Sequence, residues 1–215
     1  SLLSKMLDQH SQILAIGEST QLNFSARKEW SINNVDQNLR DIMENYSENV
    51  IKVNNNGYVV DKMPLNYRWI PIILKCFPNS IIINMCRAPM DIIWSNYRIL
   101  FREGHDFTYS LRDLYNYHKL YVDLMEAYTV EYGERIITLE YEKLVSDPQK
   151  HITNILGKAQ LNWEPGILKF HLARSMTRTA SASQVTKPLY VKGKPDWLDY
   201  SKYILKENPQ LERFI

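Results

Sequence analysis

Asn79-Ser-Ile-Ile-Ile-Asn-Met-Cys-Arg-Ala-Pro-Met-Asp-Ile-Ile-Trp-Ser-Asn-Tyr-Arg98 is the stretch whose reading decides the fold. Ile81 to Ile83, with Met85 and Cys86, form a short apolar run of the kind buried in parallel sheets. Pro89 suits a first helical position, and Asp91 in the first turn complements the positive end of the helix dipole. The stretch therefore predicts a strand that passes through a tight turn into a helix. Arg87 sits at the junction and Ser95 lies eight residues further on. A guanidinium and a hydroxyl at the carboxyl edge of a strand can grip a phosphate. The same residues also fit a surface arginine and a helical serine with no joint role, and the segment alone leaves both readings open.

Outward from this stretch, helix and strand alternate. Leu2, Leu3, Met6 and Leu7 recur at helical spacing, and Gln12 to Gly17 reads as a strand. Val35, Leu39, Ile42 and Met43 mark one face of an amphipathic helix, with Asn33 or Asn34 as its cap. Asn54-Asn55-Asn56-Gly57 is a turn before a short strand at Tyr58 to Val60 that ends at Asp61-Lys62. Trp69 to Phe77 and Leu111 to Tyr132 read as helices, Arg135 to Leu139 as a strand, and Gln149 to Leu156 as a helix. Leu22 to about Ser31 reads as loop. Ser175 to Lys194 has no period and no Asp or Glu, but carries Arg178, Lys187, Lys192 and Lys194. There is no internal repeat. Short apolar strands alternating with helices predict an α/β domain around a mostly parallel central sheet, flanked by helices in three layers.

Composition narrows the class. A chain of 215 residues can bury one sizeable core, which predicts a single domain over 1–215. A net charge of +2 makes no whole-molecule case for nucleic acid, and there is no apolar run long enough for a membrane span. Cys76 and Cys86 fall in core elements and read as buried thiols of a reducing, cytoplasmic compartment. The first ten residues do not resemble a signal peptide; an apolar helix that starts at residue 1 reads as a chain cut from something longer. The five His and two Cys show no metal-ligand spacing, so no metal is expected. Neither a nucleophile elbow nor a Cys–His signature is present.

Several further residues follow strands, where α/β proteins place ligand-binding groups. Glu18 follows Gly17, Lys62 follows Asp61, and Tyr141-Glu142-Lys143-Leu144-Val145 follows the strand at 135–139. Taken in order, several segments resemble the sulfotransferase superfamily. They are the Met6-Leu-Asp-Gln-His10 helix, Gly17-Glu18, Asp61-Lys62-Met63-Pro64, Phe77-Pro78-Asn79, Arg87-Ala88-Pro89-Met90-Asp91 with Ser95 and Tyr97, Leu139 to Val145, Asp147-Pro148, and Thr179-Ala180-Ser181 with Gln184-Val185. The likeness is to bacterial sulfotransferase domains often attached to tetratricopeptide repeats, and to tyrosylprotein sulfotransferases. It runs from residue 1 to about Tyr200.

The resemblance implies a P-loop-NTPase-like fold and transfer of a sulfuryl group from 3′-phosphoadenosine 5′-phosphosulfate (PAPS) to a hydroxyl or phenol, without a metal. It implies that Arg87 and Ser95 hold the donor's 3′-phosphate. Glu18 matches the acidic general base of tyrosylprotein sulfotransferases. Lys62 matches a lysine that stabilises charge on the bridging and leaving oxygens. Ser181 matches a serine near the phosphosulfate. Ser1, Tyr141 and Lys192 fall beside the donor by the same likeness. Each also has a plain reading: a solvated Glu18, a Lys62 at a strand end, a Tyr141 in the core, a basic loop around Lys192.

One departure stands against these agreements. The family's glycine-rich loop of the type Pro-Arg-Ser-Gly-Thr, which cradles the phosphosulfate through backbone amides, belongs immediately before Ser1 and is not in this sequence, nor is the first strand of the nucleotide-binding unit. Ala88 also stands where the family commonly has Asp. The alternative to an enzyme is a non-catalytic nucleotide- or protein-binding module built on this fold. Acceptor loops such as Leu22–Ser31 and Arg102–Phe107 carry no readable code, so peptide tyrosine, saccharide and small-molecule acceptors stay open.

Overall fold

In a computed structural model of the chain, which describes residues 1–19, 22, 35–53, 57–101, 104–172, 189 and 195–215, the expected alternation of helix and strand is present. In chain order the elements are α1 (Leu2–Leu7), β1 (Ile13–Gly17), α2 (Val35–Asn49), β2 (Tyr58–Asp61), α3 (Ile70–Cys76), β3 (Ile82–Cys86), α4 (Pro89–Tyr97), α5 (Leu111–Tyr132), β4 (Ile136–Glu140), α6 (Tyr141–Ser146), α7 (Pro148–Lys158) and α8 (Ser201–Glu207). Two compact units emerge, one of Ser1–Ile82 with Pro148–Leu189 and one of Ile83–Asp147 with Tyr190–Ile215. The asparagine turn at 54–56 and the helix cap at 33–34 lie outside the described residues.

In the first unit, β1 and β2 run parallel with Ile13 opposite Tyr58, Leu14 opposite Val59 and Ala15 opposite Val60. The register then slips, so that Gly17 faces Asp61. The extra residue in β1 is a bulge, which bends the strand where pairing ends. α1 buries Leu3, Met6 and Leu7 on one face, and the turns at Pro165–Leu172 bury Ile167 and Phe170. His10, 3% exposed, ties these parts together. Its Nδ1 accepts the Gln12 N–H at 3.1 Å, so Nε2 carries the proton and donates it to the Asn162 carbonyl at 2.9 Å. Leu39 and Ile42 of α2 pack with Leu22 and with Cys76 of α3. Met43, expected on the same face, is 38% exposed, so the buried stripe is narrower than its sequence implied. The helix expected over 69–77 begins as a 3₁₀ turn from Pro64 and ends at Cys76. Phe77 precedes Pro78, whose ring disfavours helical backbone at the residue before it.

In the second unit β3 pairs with β4. Met90, Ile93 and Trp94, at helical spacing on α4, meet Leu114 of α5 and the side chains of Trp197, Ile204 and Leu211. The sequence alone assigns no element beyond Lys194. The structure has α8 and two 3₁₀ turns there, and three apolar residues spaced seven apart bring their one buried side onto the α4–α5 core. β4 starts one residue later than expected because Arg135 belongs to the 3₁₀ turn at Gly133–Arg135, which follows α5 with Gly133 at φ +48°.

His118 of α5 is 8% exposed and meets the edge of Phe214 at 5.3 Å between ring centroids. Burial pushes its pKa below the ordinary 6.5, so as pH falls the unfolded chain takes up this proton before the folded chain does. Its contribution is therefore whole above pH 6.5 and is lost as pH falls through that value. Urea unfolding at pH 7.5 and pH 5.5 should show a drop in stability at the lower pH that is smaller in His118→Gln; an equal drop in both proteins would exclude His118 as its source.

Candidate functional site

Parallel pairing sets the carboxyl ends of β1 and β2 side by side. The Lys62 N–H donates to the Gly17 carbonyl at 2.8 Å, so the residues following Gly17 and Asp61 leave the sheet from neighbouring backbone positions. Gly17 adopts φ +76°, a left-handed conformation that glycine takes at no steric cost. With the bulge before it, this turn brings Glu18 against Lys62, and Lys62 Nζ donates to Glu18 Oε1. Both side chains are partly exposed, which holds such a pair to about 1 kcal/mol or less. Ser1, ahead of α1, lies near enough to Lys62 and Glu18 to feel both charges.

Beside them, the Tyr46 hydroxyl donates to Asp61 Oδ2 at 2.7 Å and fastens α2 to the end of β2. Burial raises the Asp61 pKa, while Tyr46, the backbone of Ser19, Asn66 and the charge of Lys62 pull it back. Burial, and then the neighbouring Asp61, likewise push the Tyr46 phenol up. Asp61 Oδ1 is buried and makes no well-directed hydrogen bond among the described residues, although Asn66 is near enough to act on the carboxyl.

The second unit repeats the arrangement. Arg87 directly follows β3, Tyr141 and Glu142 directly follow β4, and the three side chains meet, so these two strands also present their carboxyl ends together. The guanidinium lies 5.0 Å from the centroid of the Tyr141 ring, a cation–π contact. Arg87 Nη2 forms an ion pair with Asp91 Oδ2 at 3.0 Å. Glu142 Oε1 is 3.3 Å from Nε but off the N–H direction, and among the described residues the buried Nε makes no hydrogen bond. Asp91 and Ser95, four residues apart, share one edge of α4, and Arg87, which precedes the helix, reaches Asp91. Ser95 is half-buried there.

Of the residues expected from sequence, the first unit therefore brings together Ser1, Glu18 and Lys62, and the second Arg87 and Tyr141, with Ser95 one helical turn beyond Asp91 on α4. Ser181 and Lys192 lie outside the described residues. Asp91 is more than the dipole partner read from the sequence: it orients Arg87, and the i, i+4 spacing was the signal available for that. Glu142 had no such signal, because only the pairing of β3 with β4 carries it to Arg87. Tyr46 likewise reaches Asp61 through the packing of α2. Among the described residues no group of three His, Cys, Asp or Glu side chains is placed to hold a metal ion, and no helix is long and apolar enough to cross a membrane.

Comparison with known proteins bears on this geometry. A family model described as "Sulfotransferase family" matches residues 1–165. A relative from Aquifex aeolicus (strain VF5), described as "Uncharacterized protein", is 26% identical over an alignment of 249 residues. All of this chain is matched but only 32% of that relative, so the chain spans about a third of the relative's length. The sulfotransferase domain from the curacin biosynthetic pathway superposes with a TM-score of 0.61 at 19% identity, covering 92% of this chain and 81% of that one. The sulfotransferase domain from the Synechococcus PCC 7002 olefin synthase gives 0.56 at 16% identity, covering 96% and 89%. At these identities the likeness carries the fold, a P-loop-like α/β domain, as the sequence led us to expect.

A Cβ built on Gly17 meets no atom within 4 Å. Gly17→Ala should therefore cost only the backbone penalty of the left-handed conformation, about 1 kcal/mol in urea unfolding. A loss several times larger would mean that this turn is constrained by something other than φ.

Proposed function

Because this chain belongs to the sulfotransferase family, we propose that it transfers a sulfuryl group from PAPS to a hydroxyl or phenol acceptor. The observation that carries the reading is the meeting of Glu18 and Lys62 at the carboxyl ends of adjacent parallel strands. One is a carboxylate that can take the acceptor's proton. The other is an ammonium that can stabilise negative charge on the departing oxygen.

The donor supplies the sulfuryl group: its sulfur–oxygen bond to the phosphate breaks as a bond to the acceptor oxygen forms. Every other role falls to the chain. Arg87 and Ser95 take the 3′-phosphate, and the buried Nε of Arg87, which makes no hydrogen bond among the described residues, fits an anionic ligand. Tyr141 stacks under the guanidinium and keeps it from turning. Ser181 and Lys192 are assigned to the donor by the family likeness alone. The phosphosulfate loop of the family is not within this sequence, and on this reading transfer requires protein that carries it.

Full-length protein supplied with labelled PAPS should transfer label to one of a panel of peptide-tyrosine, saccharide and small phenol acceptors. Lys62→Ala should lower kcat by roughly 10²–10³, the scale of losing one group that stabilises transition-state charge, while Arg87→Ala should chiefly raise KM for the donor. If calorimetry detects neither PAPS nor 3′,5′-ADP binding, the proposal fails. If 3′,5′-ADP binds in an Arg87-dependent way but no label is transferred, the chain is a nucleotide-binding module.

A further inference from the structure

The geometry around Arg87 points to Glu142 as a built-in competitor for the anion that Arg87 receives; we propose that it sets how tightly the protein holds a 3′-phosphate. This rests on the assignment of Arg87 to that phosphate made above.

The two carboxylates on Arg87 are not equivalent. Asp91 is sheltered, with its side chain 15% exposed, and its Oδ2 pairs with Nη2 at 3.0 Å, closer than Glu142 comes to Nε. It belongs to the helix that Arg87 leads into, so it stays with the guanidinium whatever binds. Glu142 is 52% exposed and sits 3.3 Å from Nε without lying on the N–H axis. It neutralises Arg87 but leaves the buried Nε donor unsatisfied, and a solvated carboxylate loses little by turning back to water. A phosphate oxygen placed on that donor would make the directed bond that Glu142 does not make.

Charge points the same way. Around this strand end, Arg87 and Lys143 face Asp91, Glu140 and Glu142, and Lys143 is already held by Glu140 at 2.7 Å. Among the described residues, then, the groups paired with Arg87 and Lys143 carry net negative charge, which a phosphate dianion meets until Glu142 moves aside. A nucleotide without a 3′-phosphate does not compete for this position. Glu142 thus costs affinity for the 3′-phosphate alone, and salt that screens the exposed carboxylate should reduce that cost.

The test measures 3′,5′-ADP and 5′-AMP binding to full-length protein by calorimetry, in the unsubstituted form, Glu142→Gln and Asp91→Asn, at low and high salt. Thermal melts confirm folding; an exposed Glu142→Gln should leave the melt unchanged. Glu142→Gln is expected to lower Kd for 3′,5′-ADP about three- to tenfold at low salt, with a smaller gain at high salt. Binding of 5′-AMP should not change, and Asp91→Asn should weaken 3′,5′-ADP. Unchanged or weaker binding in Glu142→Gln overturns the proposal and makes Glu142 a support of Arg87. Failure of 3′,5′-ADP to bind any form overturns both this inference and the phosphate assignment. Tighter binding in Glu142→Gln without any sulfuryl transfer sustains the competitor and sinks the transferase reading alone.

Discussion

The backbone register of paired strands is the constraint on which the functional arrangement depends. Residues that follow two adjacent parallel strands must emerge together, because the ladder bonds fix one strand's end against the other's. Gly17 facing Asp61 makes Glu18 and Lys62 neighbours, although 44 residues separate them. The same logic sets Arg87 against Tyr141 and Glu142 at the ends of β3 and β4. At the first of these edges, a bulge and a left-handed glycine turn the chain so that a carboxylate reaches an ammonium.

Stability and function draw on different residues. The cores are apolar and closed: Met6, Ile42, Ile152, Ile167 and Phe170 in one unit, Met90, Ile93, Leu144 and Leu211 in the other, are wholly or almost wholly buried. Burial on this scale dominates the free energy of folding. The charged groups at the strand ends are half-exposed and paired with one another, so they contribute little to stability. That weakness suits a binding edge, since groups held by exposed ion pairs can exchange partners when a ligand arrives. The exceptions are Asp61 and Asp91, sheltered carboxyls that hold a position: one through Tyr46, the other through Arg87.

Local signals were legible wherever the chain satisfies its own backbone. The helix at 111–132 has the bounds its apolar spacing predicts, because Ser110 caps Asp113 at one end and Gly133 closes the other. Pro89 opens α4 as expected. Edges misread by a residue or two lie at 3₁₀ turns and prolines, where helical and extended hydrogen bonding compete. The C-terminal helical turns were missed for a different reason. Trp197, Ile204 and Leu211 bury only one side chain per seven residues, a pattern too sparse to read until α4 and α5 supply the surface beneath them.

Sequence by itself determined the strand–turn–helix at 79–98, the alternation of elements, and the chemical kind of group standing after each strand: Glu18, Lys62, Arg87 and Tyr141. These follow from side-chain periodicity and turn chemistry, which act over a few residues. Tertiary structure alone decided who meets whom. That Glu18 holds Lys62 and that Glu142 reaches Arg87 depends on which strands pair, and that Tyr46 holds Asp61 depends on where α2 packs. Pairing is made by backbone N–H and C=O groups that every residue shares, so a strand's own sequence can say which face is buried but not which neighbour it will find.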